Sequence, residues 1–305
     1  MGETVSGEDI AKTLKISRAA VNKQIQALRK KGYVIHGQSN SGYSLISKSD
    51  LLSPDEFEKY LTAKNPFKFY YFNEINSTQE KAKAFANSGG AEWDVVISET
   101  QTSGRGRLGR KWMSPPGGIW FSVILKPELM PDSVPQITLV ACLALRETIK
   151  DLLKIDTLIK WPNDLTINGR KIAGILTEMS AEVGKTNWVV LGIGVNVNNE
   201  IPSGLQETAL SLCEAAGKKV NRQELFVSFL KRFKMMLTEL TVSGFGQFKD
   251  RYNSHSAVNG KPIRVDTAGH YATGIAEKTD EFGRLMVRTD TGAMVRLVAG
   301  EITLK

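Results

Sequence analysis

Cysteine and histidine are scarce in this chain of 305 residues, with two of the first, Cys142 and Cys213, and three of the second, His36, His255 and His270. None lies beside another at metal-ligand spacing, so no zinc centre is expected. Lone thiols in helix-like segments predict buried, reduced cysteines and a cytoplasmic protein, not a disulfide framework. No apolar run approaches the roughly 20 residues that cross a bilayer, so no membrane partner is expected. The polar, acidic opening MGETVSGEDI excludes a signal peptide. Long repeats and low-complexity tracts are missing too. Acidic residues are outnumbered, 32 against 40 basic, and the net charge of +8 predicts an anionic partner. Charge alone does not choose between nucleic acid, nucleotide and an acidic protein. What remains is an ordinary folded composition, 41% hydrophobic and 24% charged, long enough for two or three domains.

The pattern predicts an α+β protein in successive segments. Residues 1–47 read as a winged helix-turn-helix, with the helix-turn-helix over about residues 7–26. Ser6 and Ser17 are suited to cap two helices, the second ending at Gly32, and Val21, Ile25 and Leu28 make its apolar stripe. Arg18, Asn22, Lys23 and Gln26 then fall on or beside the exposed face, where they suit phosphates and base edges of operator DNA. A basic helix face can also be merely solvated; the tight Ile16-Ser17 junction and the hairpin pattern in YVIHGQSNSGYSLI favour DNA. The usual first helix of such a unit is missing, since only Met1 to Val5 precede it. Ile10, Leu14, Val21, Ile25 and Leu28 would then lack part of their cover. Residues 48–67 read as a linker with one short helix, Pro54 to Leu61. Residues 68–256 predict a mixed sheet with packed helices, and residues 257–305 a small SH3-like β-barrel.

One stretch carries two familiar patterns. Gly104-Arg105-Gly106-Arg107-Leu108-Gly109 matches the dinucleotide fingerprint and nearly matches a P-loop. Both require a helix directly afterwards, and Pro115, Pro116, Gly117 and Gly118 forbid one. A nicotinamide enzyme fails on that ground. What is left is strand, basic glycine loop, strand. Arg105, Arg107, Arg110 and Lys111 repel one another unless an anion lies among them. The glycines let backbone N–H groups approach that anion and leave the loop mobile without it. Trp112 offers an aromatic face for an adenine or a hydrophobic ring.

Further on, KWPNDLTINGRKIAGIL places Asp164 before, and Lys171 after, a hairpin turn at Asn168-Gly169, so both can face a common site. Such a lysine suits an α-phosphate, and such an aspartate can orient or deprotonate an amine. A plain surface ion pair is the alternative. In VLGIGVNVNN, Gly192 and Gly194 permit close approach of a ligand or strand.

With NSTQEKA and AGEITL in the same order, these motifs resemble the biotin protein ligase family, of the type that is also a biotin-operon repressor. The resemblance spans nearly the whole chain. It implies that biotin and ATP, with Mg2+, form biotinyl-5'-AMP, and that a lysine of the biotin carboxyl carrier protein of acetyl-CoA carboxylase then takes the acyl group. It further implies that Ser77, Thr78, Gln79 and Gln101 contact biotin and that Arg105, Gly106 and Arg107 form the loop over the adenylate. Lys171 would contact biotin and the phosphoryl centre, with Asp164 as candidate base for the acceptor amine. Gln79 stands where the family often has asparagine. Ligand-linked homodimerisation is a further implication. The competing expectations are a lipoate or octanoate ligase, whose Arg-Arg-x-Ser-Gly-Gly-type loop is absent, and a ligand-sensing transcription factor without turnover.

Overall fold

The computed structural model describes residues 4–38, 41–62, 64–267 and 270–304, and the chain divides into two compact units, Met1–Lys59 and Tyr60–Lys305. The first begins with α1 (Gly7–Leu14) and α2 (Arg18–Lys30). Ser6 Oγ accepts the Asp9 N–H at 3.0 Å and Ser17 Oγ the Ala20 N–H at 3.2 Å, so both expected caps are made. Lys15 takes a left-handed conformation at the end of α1, and the Ile16 N–H returns to Ala11 O at 3.0 Å. These local bonds make the turn between the helices tight.

The hairpin follows as β1 (Val34–Gln38) and β2 (Gly42–Ser47), an antiparallel pair whose turn residues 39–40 lie outside the described residues. A bridge that the sequence did not announce joins Val5 to Tyr43, with N–H to O distances of 2.9 and 2.8 Å. Gly42 permits it: its φ is +110°, and a Cβ there would lie 2.2 Å from Val5 O. Ala11, Val21 and Ile25 form the small core with Ile10, Ile35 and Tyr43 around them. Of the residues expected to lack cover, Leu14 is 59% exposed and Leu28 half-buried, whereas Val21 and Ile25 are buried, because the hairpin supplies Ile35 and Tyr43 against them. The helix expected over Pro54 to Leu61 is shorter. It is α3 (Pro54–Phe57) followed by a 3-10 turn, Glu58–Tyr60, because so short a segment cannot offset helix nucleation with its own bonds. Tyr33 Oη donates to Glu56 Oε2 at 2.6 Å, which pushes the phenol up to about 12.

The second unit opens with β3 (Lys68–Ile75), α4 (Thr78–Asn87), β4 (Asp94–Gln101) and β5 (Ile119–Leu125). Then come α5 (Pro135–Leu153), β6 (Leu158–Lys160), β7 (Asp164–Ile167), β8 (Arg170–Glu182) and β9 (Lys185–Val195). The helices α6 (Leu212–Ala216), α7 (Arg222–Ser243) and α8 (Lys249–Asn253) complete it. Its strands form a seven-stranded mixed sheet in the order β3-β4-β5-β9-β8-β7-β6, parallel only between β3 and β4. Side chains alternate across a strand, so the sheet has two distinct faces. On one, Phe121 meets Phe226 and Phe229 of α7, which packs beside α5. On the other, Ala82 and Ala86 of α4 cover Val96, Ile124 and Val190. Beyond the N-terminus of α4 that second face is floored by small residues, Ser122, Gly192, Gly194 and Gly174, with Trp120 across from Gly194. There the cleft forms.

The last segment contains β10 (Pro262–Thr267), β11 (His270–Thr279), β12 (Leu285–Thr289), β13 (Met294–Leu297) and β14 (Glu301–Leu304). Their order is β13-β12-β11-β10-β14, all antiparallel. A small SH3-like barrel was expected. Among the described pairings β13 and β14 are not joined, so the sheet is open; Glu301 of β14 instead meets Arg110 at 2.5 Å. The Trp161 indole donates to Gly283 O at 3.1 Å, fastening this sheet to the larger one.

Candidate functional site

The cleft on the glycine face has a volume of about 520 Å³. Its closed end is polar. Ser77 caps α4 by accepting the Glu80 N–H, and Ser77, Thr78 and Gln79 are all buried. Gln101 Oε1 accepts the Thr78 N–H at 2.8 Å and lies 3.1 Å from its hydroxyl, while Gln101 Nε2 donates to Ser114 Oγ at 2.8 Å. The sequence motif thus brings Thr78, Gln79 and Gln101 to one wall.

The basic loop is folded back on itself. Trp112 N–H donates to Gly104 O at 2.9 Å and Gly106 N–H to Arg110 O at 2.7 Å. A short 3-10 turn, Arg107–Gly109, holds Leu108 at φ 55° and Gly109 at φ 73°. No α-helix follows the glycines, as the prolines required. Trp112 then lies across the sheet: a Cβ on Gly194 would approach its Nε1 to 2.5 Å, and one on Gly174 its ring to 2.8 Å. Glycine is needed at both positions so that the indole can lie flat on the strands.

The cationic end is made by three elements. Lys171 Nζ stands 2.7 Å from Asp164 Oδ1 and 5.0 Å from the Trp112 ring centre. Arg107 donates to Asn163 Oδ1 at 2.7 Å and to Gly300 O at 3.1 Å. Burial pushes its guanidinium below the ordinary value, and the charges of Asp164 and Glu301 work against that shift. Arg105 also lines the cleft, but at the α4 end, where its guanidinium stands 3.3 Å from Glu80. Gly106 lines the cleft through its backbone.

Several lining residues had little or no sequence signal. Ile201, Pro202, Leu205 and Ala209 come from an irregular segment held by Lys171 N–H to Thr208 O at 2.7 Å and Leu210 N–H to Lys171 O at 2.9 Å. Ser122 and Gly174 sit in strands that read as continuous apolar runs. In the first unit, Arg18, Asn22 and Lys23 are exposed on α2, away from buried Val21 and Ile25. Arg29 is instead used within the unit, donating to Ile35 O at 2.8 Å.

A mixed sheet with a glycine-floored cleft, cationic at one end and neutral-polar at the other, defines an α+β ligand-binding domain, here preceded by a helix-turn-helix unit. Residues 71–196 match the biotin/lipoate A/B protein ligase family, residues 2–44 an HTH domain, and residues 259–305 the biotin protein ligase C-terminal domain. The chain is 38% identical over 299 residues to the bifunctional ligase/repressor BirA of Bacillus subtilis, covering 95% of this chain and 91% of that protein. It is 28% identical over 306 residues to the BirA of Escherichia coli, covering 100% of this chain and 94% of that one. The solved biotin protein ligase from Aquifex aeolicus in complex with biotin and ATP aligns with TM-score 0.70 and 30% identity, covering 78% of this chain and 98% of that chain. The chain belongs to the biotin protein ligase family.

Proposed function

We propose that the chain is an ATP-dependent biotin protein ligase that also represses transcription of a biotin operon. Its substrates are biotin, ATP and the biotin carboxyl carrier protein of acetyl-CoA carboxylase. The biotin carboxylate attacks the α-phosphate of ATP, forming biotinyl-5'-AMP and releasing pyrophosphate. The amine of a carrier lysine then attacks the acyl carbon, forming an amide and releasing AMP.

The observation that carries this reading is the grouping of Lys171, Asp164 and Arg107 at one end of a cleft whose other end is neutral and polar. Lys171 is suited to balance charge on the phosphoryl oxygens, and Arg107 to hold the closed loop over the adenylate. Asp164, beside the lysine, is suited to take the proton of the carrier amine. Ser77, Thr78, Gln79 and Gln101 suit the ureido end of biotin, with Trp112 as a wall and Arg105 and Gly106 in the covering loop. A covering loop also keeps water from a mixed anhydride. Mg2+ that accompanies ATP draws most of its ligands from phosphate and water, and Asp164 is the carboxylate that stands beside Lys171.

For the first unit, the exposed Arg18, Asn22 and Lys23 support operator binding by α2, presented by a ligand-linked homodimer. We take the domains as 1–47 for DNA, 48–67 as linker, 68–256 for catalysis and 257–305 as an SH3-like module, whose five antiparallel strands support that likeness. The free thiols of Cys142 and Cys213 suit the cytoplasm, and no described helix is long and apolar enough to cross a membrane.

Biotin-dependent exchange of labelled pyrophosphate into ATP, with lipoate as control, tests the ligase. Exchange with biotin alone is expected. Exchange with lipoate alone would make the chain a lipoate-type ligase, and none with either acid would make it a sensor.

A further inference from the structure

At the closed end of the cleft the directions of the hydrogen bonds can be counted. Gln79 Nε2 lies 2.9 Å from Glu178 Oε2 and 3.2 Å from Val190 O. Both neighbours only accept, so the amide NH2 has to point at them. The other amide atom, Oε1, is therefore 3.0 Å from Ser122 Oγ and takes the single proton of that hydroxyl. On the opposite side, Gln101 Nε2 donates to Ser114 Oγ, which turns Gln101 Oε1 toward Thr78. The Thr78 hydroxyl sits between Ser122 Oγ at 3.0 Å and Gln101 Oε1 at 3.1 Å, and its one proton goes to one of them. Both hydroxyl protons are thus held within the protein. The Thr78 and Ser122 hydroxyls therefore face the cleft with lone pairs.

Glu178 does not line the cleft, yet it decides this polarity. Its second oxygen, Oε1, receives Lys83 Nζ at 2.9 Å, and Lys83 also reaches Glu80 Oε1 at 3.2 Å. Glu178 is cross-strand partner of Val190, and Gly192, the next outward position on that face, leaves room for Gln79: a Cβ there would lie 2.3 Å from Gln79 Oε1. The amide is confined in place, and the carboxylate, the shorter and charged of its two acceptors beside Val190 O, dominates which way round it stands.

We infer that Glu178 is a positioning residue that, through Gln79, makes the closed end of the cleft a hydrogen-bond acceptor and so selects a ligand presenting N–H donors there. The inference rests on the ligase reading, in which the ureido ring of biotin supplies those donors.

Glu178→Gln keeps the size of the side chain but not its acceptor character. Lys83 can only donate, so the new amide turns its oxygen to Lys83 and its NH2 to Gln79. Gln79 then turns over, giving up its longer bond to the neutral Val190 O to accept from the nearer new amide, presents NH2 to Ser122, and adds donors to an end that should hold acceptors. In pyrophosphate exchange, Glu178→Gln should raise KM for biotin about tenfold with kcat within about twofold of wild type. Removing the lysine as well, in Lys83→Met/Glu178→Gln, frees the amide to offer its oxygen to Gln79, and KM should return to within about twofold of wild type. Lys83→Met alone should leave KM unchanged. An unchanged KM in Glu178→Gln overturns the inference, and so does a raised KM that the double variant fails to lower. Should Glu178→Gln not fold, the wild-type chain still decides: a biotin analogue methylated at the ureido nitrogens should compete at least about tenfold more weakly than biotin, and equal competition overturns the inference. Absence of biotin-dependent exchange in the wild type would overturn the ligase reading and the inference with it, whereas exchange with an unaltered KM in Glu178→Gln overturns the inference alone.

Discussion

Lys171 and Asp164 meet at 2.7 Å because β8 carries one residue more than β7 between the pairs Thr166–Lys171 and Asp164–Gly174. In a regular ladder, residues three apart on one strand face opposite sides. The bulge after Lys171 cancels that, so Lys171, Gly174 and Asp164 share the cleft face. A lysine, an aspartate and the glycine that seats Trp112 are thereby brought within one small volume.

Lys171→Ala should reduce biotin-dependent pyrophosphate exchange by about a hundredfold or more, as expected for loss of a preorganised charge at a reacting phosphoryl group. Thermal melting of the same variant should stay close to wild type, since the side chain is part-exposed. Exchange at the wild-type rate would remove Lys171 from the chemistry.

Arg107→Ala deletes the bonds to Asn163 Oδ1 and Gly300 O that hold the loop down. The adenylate, once formed, should be lost about tenfold faster, as measured by retention of labelled biotin on the isolated complex. Retention equal to wild type would show that the loop closes without this residue.

Gly194→Ala puts a Cβ 2.5 Å from the Trp112 indole nitrogen. The indole would have to lift off the strand toward the cleft, so a loss of about 1–3 kcal/mol is expected. Denaturant midpoint and tryptophan emission should both shift. No change in either would mean that Trp112 does not rest on the sheet in solution.

Arg18→Ala should weaken operator binding and lower the slope of affinity against salt by about one, leaving pyrophosphate exchange intact. Fluorescence anisotropy with operator DNA at several salt concentrations measures both. A parallel loss of ligation would contradict separate roles for the two units.

His255 supplies a pH dependence. Burial, and next the charge of Arg146, hold its imidazole below 6.5, against the opposing charges of Glu147 and Asp156. Below about pH 6.5 the unfolded chain therefore takes up a proton that the folded chain refuses, so stability falls as pH drops toward the folded value and levels off beneath it. His255→Gln should flatten that part of the profile of melting temperature between about pH 7 and about pH 5. An unchanged profile would show that another group sets it.

Much of the scaffold was legible because its signals are local. Caps at Ser6 and Ser17, the short apolar runs of β4 and β5, and Pro115 to Gly118 after the basic loop each act within a few residues. The short helix after Pro54 misled, since propensity says little about where so brief a segment stops. The site was legible only where a motif gathers its own chemistry, as in Arg105 to Trp112 and Asp164 to Lys171. Ser122 and Glu178 gave no signal, for an isolated polar residue in an apolar strand looks the same whether it faces a core, a cleft or water.

The sequence by itself determined the elements and their order, the loop that cannot open a helix, and the family motifs, all written in neighbouring residues. Only the tertiary structure decided that Trp112 lies on Gly174 and Gly194, that Arg107 reaches Gly300 rather than its charged neighbours, and that Glu178 turns Gln79. Those relations depend on strand register, on a one-residue bulge and on the direction of single protons. Residues far apart in the chain set them jointly, so no short stretch of sequence contains them.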